Sequence, residues 1–127
     1  MTNDETYNSA LVDVVGVSEK LRIRPHIYVK LVKSFVANLN GKLRMLGDAI
    51  STDDRDQMRM TLHEIKGTAG NLRLGNIIGP EMVLHAAVKA GASQRELAAH
   101  FEILRHEAEK LQQYVCRIPD DLGGDNA

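Results

Sequence analysis

Apolar residues recur along this chain at intervals of three and four, the spacing that holds side chains on one face of an α-helix. From Pro25 the pattern runs through Ile27, Leu31, Phe35, Leu39, Leu43, Leu46 and Ile50, predicting a long helix with that stripe turned inward. Pro25 suits a first helical position, where the N–H it lacks would have no intrahelical acceptor. Gly41 and Gly47 weaken the second half of this helix, and Gly47 is a candidate end. The next helix opens at the capping residues Ser51, Thr52 and Asp53 and continues through Met58, Leu62, Ile65, Ala69 and Leu72. The pattern lapses over residues 74–79, and a third helix is expected over 80–90, with Gly91 as a left-handed cap. The last helix carries the clearest signal. Ser93 and Glu96 stand at capping-box spacing, and Leu97, Phe101, Leu104, Ala108, Leu111 and Val115 follow at heptad-like steps. A shorter helix is expected upstream, within residues 10–23, where Gly16 and Ser18 are points of division.

Four main helices joined by short turns predict an all-α fold, an antiparallel up-down four-helix bundle with a short additional N-terminal helix. The bundle is expected over residues 9–118, between a flexible N-terminus at 1–8 and a flexible C-terminal tail at 119–127. A chain of 127 residues closes one core without disulfide or metal staples. Aromatic residues make up only 4% and tryptophan is absent, so the core must be built from Leu, Ile, Val, Met and Ala, which favours helix over sheet.

Charge narrows the classes of partner. Sixteen basic residues face 17 acidic ones with no block of like charge, so neither nucleic acid nor an anionic membrane is an expected partner. The N-terminal residues are polar and acidic, and no apolar run approaches the ~20 residues that span a bilayer. A cytoplasmic protein is expected, and the starting Met1 and short tails point to one that stands alone. Cys116 has no intrachain disulfide partner and is expected to be a small buried apolar residue at a helix end.

The stretch HEIKGTAGNL, from His63 to Leu72, then poses a question. Two glycines inside a helix cost about 2 kcal/mol relative to alanine. The apolar stripe runs straight past them, so the helix continues and the glycines serve something else. His63, Lys66, Gly67 and Gly70 stand at i, i+3, i+4 and i+7, on one strip beside the inward face. Missing side chains leave the imidazole approachable by a bulky partner, with a cation one turn away. That arrangement suits an anionic group carried by the imidazole.

These residues resemble the signature of histidine phosphotransfer (HPt) domains, with His63, Ile65, Lys66, Gly67, Thr68, Ala69 and Leu72 at the matching positions. The resemblance extends over roughly residues 23–115, including the upstream HIYVKLVKSFVANL and the downstream AAVKAG. It implies that His63 accepts a phosphoryl group from an aspartyl-phosphate of a response-regulator receiver domain and passes it to another. A hybrid sensor kinase and receiver domains are the implied partners, and the chain is implied to be a monomer. Lys66 is implied to stabilise phosphoryl charge and Gly67 to give steric access. Gly70, His85, Glu64, Met60 and Lys89 complete the implied binding surface. No cofactor is implied on this chain, and Mg²⁺ is expected on the receiver. The chain is therefore expected to be a relay intermediate without kinase activity of its own.

Three departures from the family stand out. His85 occupies the position 22 residues after His63 where related domains often carry Gln or Glu, which places it near His63. Arg73 stands where glycine is usual, and Pro80 falls in a stretch that is commonly continuous helix.

Blander roles are expected elsewhere. His26, His100 and His106 read as helix-surface residues, and Thr68 as an inward-side residue bonding a carbonyl one turn back. Met60, Met82 and Leu84 read as core or, where they reach the surface beside His63, as part of a docking patch. HEIKG begins like a zincin HExxH, but Gly67 occupies the second ligand position. KGT inside a helix reverses the order of a phosphate-binding loop. The rival class is a passive HPt-like binding module that docks on a receiver or kinase without transfer. A weaker third reading is a metal-dependent helical enzyme using His63 and His85.

Overall fold

The computed structural model describes residues 12–119, and within them the protein has five helices and no strand. They are α1 (Val14–Leu21), α2 (Pro25–Ser51), α3 (Arg55–Asn71), α4 (Gly75–Lys89) and α5 (Gln94–Val115). The expected flexible N-terminus at 1–8 lies outside the described residues, as does all of the expected tail beyond Pro119. No helix among the described residues is long and apolar enough to cross a membrane.

Packing follows chain order. α2 packs on α3, α3 on α4, α4 on α5, and α5 returns to α2, while α1 packs on α2. One aliphatic core results, with Leu46, Met58, Leu62, Ile65, Ile77, Leu84, Leu97 and Leu104 fully buried.

In α2 the inward stripe differs from the expected one. Ile27 is 38% exposed and Leu31 46%, whereas Val29, Val32, Val36, Leu39, Leu43, Leu46 and Ile50 are all buried. The reason is angular. Each step of four residues advances about 40° around a helix, so four such steps from Ile27 to Leu43 wind about 160° off the starting face. The observed stripe alternates steps of three and four, and the drift cancels. Gly47 does not end this helix, which continues to Ser51. A Cβ there would meet the Phe101 ring at 3.3 Å, so the glycine admits α5 instead.

The turns share a single device that was visible at only one of them. Asp53, Arg73 and Gly91 all adopt positive φ, at 55°, 59° and 75°. Each is followed by a residue whose N–H bonds a carbonyl five positions back: Asp54 to Ala49, Leu74 to Ala69, and Ala92 to Ala87. The positive-φ residues themselves bond Ile50, Gly70 and Val88. These are Schellman turns, and only Gly91 carries the usual glycine.

Helix starts were also displaced. The N-cap of α3 is Asp54, whose carboxylate accepts from the Gln57 N–H at 3.1 Å, and not one of the three residues before it. α4 begins at Gly75, five residues before the expected start at Pro80, because the Schellman turn at Arg73 re-aims the chain at once. Pro80 lies inside this helix. α1 is continuous through Gly16 and Ser18, capped by Asp13, which accepts from the Gly16 N–H at 3.0 Å. At α5 half of the capping box forms: Ser93 Oγ accepts from the Glu96 N–H at 3.2 Å.

Three side chains lie opposite to expectation. His26 is buried, since α1 folds back over the start of α2. Cys116 is exposed, because Val115 and Ile118 take the inward positions at the end of α5. Thr68 is exposed, because Ile65, Ala69 and Leu72 hold the core face of α3 and place it on the flank towards α2.

Candidate functional site

The sequence of α3 alternates buried and exposed positions with helical period. Thr61, Leu62, Ile65 and Ala69 face the core, and His63, Lys66 and Gly67 are exposed beside them. The helix runs unbroken to Asn71, past both glycines. A Cβ built at Gly67 or at Gly70 meets nothing within 4 Å, so neither glycine is required by the packing of this chain. Open space also surrounds Gly41, Gly75 and Gly79, but Gly67 and Gly70 share their strip with His63. The His63 ring is exposed, and no hydrogen bond to it is found among the described residues.

α4 supplies the opposite wall. Lys66 from α3 and Glu81, Met82, His85, Ala86 and Lys89 from α4 line a shallow cleft of about 190 Å³. Lys66, His85 and Lys89 are therefore gathered in one place, as three of the candidate residues. Gly67 and Gly70 lie outside that lining, on the open strip. Glu64 is drawn the other way, its carboxylate 3.5 Å from Lys42 on α2. Of the residues read as core or patch, Leu84 is buried, while Met60 is 59% exposed and Met82 52%. Val83, the next residue in the chain, is also exposed but does not line the cleft.

Glu81 is the residue that sequence reasoning missed. None of its surface is exposed, and its Oε2 lies 3.1 Å from His85 Nδ1, one helical turn on. Its Oε1 is buried with no hydrogen-bond partner among the described residues. Burial pushes its carboxyl above the ordinary carboxylate value, opposed by the hydrogen bond and charge of His85 and by the charges of Lys66 and His63. The available signal was an acid four residues before His85, the spacing of an i,i+4 pair. Starting the helix at Pro80 concealed it, since Glu81 then reads as an exposed first-turn acid.

Chemically the strip offers an accessible imidazole nucleophile, a neighbouring ammonium and clearance for a large partner. Among the described residues no group of three His, Cys, Asp or Glu side chains is arranged to hold a metal ion. No protein-family model matches the chain, and neither a curated protein nor a solved structure does.

Proposed function

We infer that this chain is a phosphorelay intermediate of the histidine phosphotransfer kind, with the helices arranged as an antiparallel up-down four-helix bundle and α1 packed over one end. Turns of three or four residues and the closed order of packing support that arrangement.

His63 is the phosphoacceptor. One neutral ring nitrogen attacks the phosphorus of a receiver's aspartyl-phosphate. The P–O bond to the aspartate breaks as the P–N bond forms, and the carboxylate leaves with the electron pair. Return of the group to a second receiver reverses these steps. Such a transfer asks mainly for in-line approach and charge neutralisation. The receiver brings the aspartate and its Mg²⁺, and this chain brings the imidazole, the Lys66 ammonium and exposed apolar side chains from Met60 and Met82. It needs no nucleotide site. Partners are receiver domains and the receiver-bearing hybrid kinase, met by a monomeric chain in the cytoplasm.

The observation that carries this reading is the open space at Gly67 and Gly70 beside the exposed His63. A helix bearing costly glycines that its own fold does not require has room reserved for a partner. The test is incubation with a radiolabelled phospho-receiver. Acid-labile label appears on the wild-type chain and is absent from His63→Gln. Label on the variant overturns the assignment, and tight binding with no labelling of the wild type replaces relay by passive docking.

A further inference from the structure

Two charges in the α3–α4 cleft lack the partners that their surroundings call for. Glu81 lies on the inward arc of α4 with Ile77, Leu84 and Val88, and its side chain is fully buried. Its Oε2 is 3.1 Å from His85 Nδ1, and its Oε1 has no hydrogen-bond partner among the described residues. A buried carboxylate left half-paired destabilises the fold, and one within reach of a cation does so less. Lys66 is the second charge. It is exposed, and no hydrogen bond or ion pair to its ammonium is found among the described residues. Both residues line the same cleft of about 190 Å³.

The position of Lys66 ties it to two places. Across the interface it shares the cleft with Glu81, and along α3 it stands at i+3 from His63, a spacing that sets Cβ atoms about 5–6 Å apart. A flexible four-carbon stem lets one ammonium serve either side. In the structure it is committed to neither. Lys89 also lines the cleft, but it follows Glu81 by eight residues, about 12 Å along the axis of α4. Of the two lysines, Lys66 is the one whose charge favours the ionised Glu81 carboxyl. A phosphoryl group on His63 would therefore draw on the same cation that Glu81 lacks.

We propose that the Lys66 ammonium has two stations, one inward over Glu81 Oε1 and one outward on the phosphoryl group of His63, so that Glu81 competes with that group for the cation. This rests on the phosphorelay reading of His63 and adds a regulation of that site: the competition weakens the hold on the phosphoryl group and favours passing it on. Glu81 is a positioning residue, acting through Lys66. No covalent bond is made or broken and no proton moves. Lys66 turns about its side-chain torsions, and the ion pair it leaves is replaced by the one it makes. An ion pair at a half-open site shifts such an equilibrium about two- to fivefold, and removing the Glu81 charge should raise the occupancy of phospho-His63 by that factor.

The test uses the intact chain and phosphoramidate, a chemical donor that needs no receiver, at about pH 8, above the ordinary carboxylate range. Carbon-13 NMR of the Glu81 side-chain carboxyl is read in wild type and in Lys66→Gln, a substitution at an exposed position. Before labelling of His63 the two chains should differ at this carbon, and after labelling they should coincide, because Lys66 has moved outward. Identical signals before labelling, or an undiminished difference after it, overturn the proposal. Glu81→Gln supplies the second reading. At equilibrium with a limiting mixture of phosphoramidate and ammonia, its labelled fraction should exceed that of wild type about two- to fivefold, and the gain should vanish in the Lys66→Gln background. A gain of equal size in both backgrounds, or none in either, overturns the competition. Should Glu81→Gln not fold, the carboxyl signals decide alone. Failure of transfer from a labelled receiver, measured separately, overturns the relay reading and leaves the Lys66 result standing, since phosphoramidate places the group without a receiver.

Discussion

The Tyr28 hydroxyl donates a 2.6 Å hydrogen bond to the Leu72 carbonyl, tying the first turn of α2 to the last residue of the α3 cap. Both groups are buried, and burial, with a contribution from Asp13, pushes the phenol up to about 12. Tyr28→Phe keeps the ring and orphans the carbonyl. It should destabilise the fold by about 1–2 kcal/mol, measured as a shift of the urea midpoint with unchanged slope. Because the folded-state phenol binds its proton more tightly than the unfolded one, wild type should also lose stability between pH 10 and about 12. The Phe variant should lack that loss.

Arg73 holds a positive φ in a Schellman turn where Gly91 does the same task without a Cβ. The strain of about 1–2 kcal/mol is offset in part by the unfolded-state entropy that glycine adds. Arg73→Gly should therefore stabilise the protein by about 0.5–1 kcal/mol in thermal or urea unfolding. Gly91→Ala should do the reverse.

Gly67 separates stability from function. Ala at this position meets nothing in the fold and improves helix propensity, so Gly67→Ala should gain about 0.5–1 kcal/mol in stability. Gly67→Leu should fold as well, yet receiver-dependent labelling of His63 should fall at least tenfold as bulk fills the approach. A Leu variant that accepts phosphate at the wild-type rate would remove the steric role.

Glu81 makes stability depend on pH with a definite sign. Its carboxyl is raised above the ordinary value of 4.5, chiefly by burial. A raised acid favours the folded state below that ordinary value, and the advantage disappears as pH rises through the folded-state value. Thermal melts of wild type and Glu81→Gln, run from about pH 4.5 to 7, should therefore show the variant gaining on wild type as pH increases. A constant gap would mean that the carboxylate is not held in a desolvated position.

Periodicity carried the helices, since a stripe stepping by threes and fours has few other uses, and it carried α3 past its glycines. It chose the wrong track at the start of α2 because Ile27 and Leu31 are as apolar as Val29 and Val32, and only their angular drift distinguishes them. Turn chemistry was readable at Gly91 and hidden at Asp53 and Arg73, where neighbours impose a conformation that the residue types do not advertise.

The strip of His63, Lys66, Gly67 and Gly70 belongs to one helix, so its spacing alone fixed which residues share a face. The cleft does not belong to one helix. Bringing Lys66 against Glu81, His85 and Lys89 depends on where α4 starts and how it packs on α3, and that is decided by the backbone of Arg73 and the burial of Ile77, Leu84 and Val88. Sequence determined the candidate nucleophile and the room beside it through local helical geometry. Only the tertiary structure buried a carboxylate behind it, because burial is a property of the packed interface between helices and of no single stretch of chain.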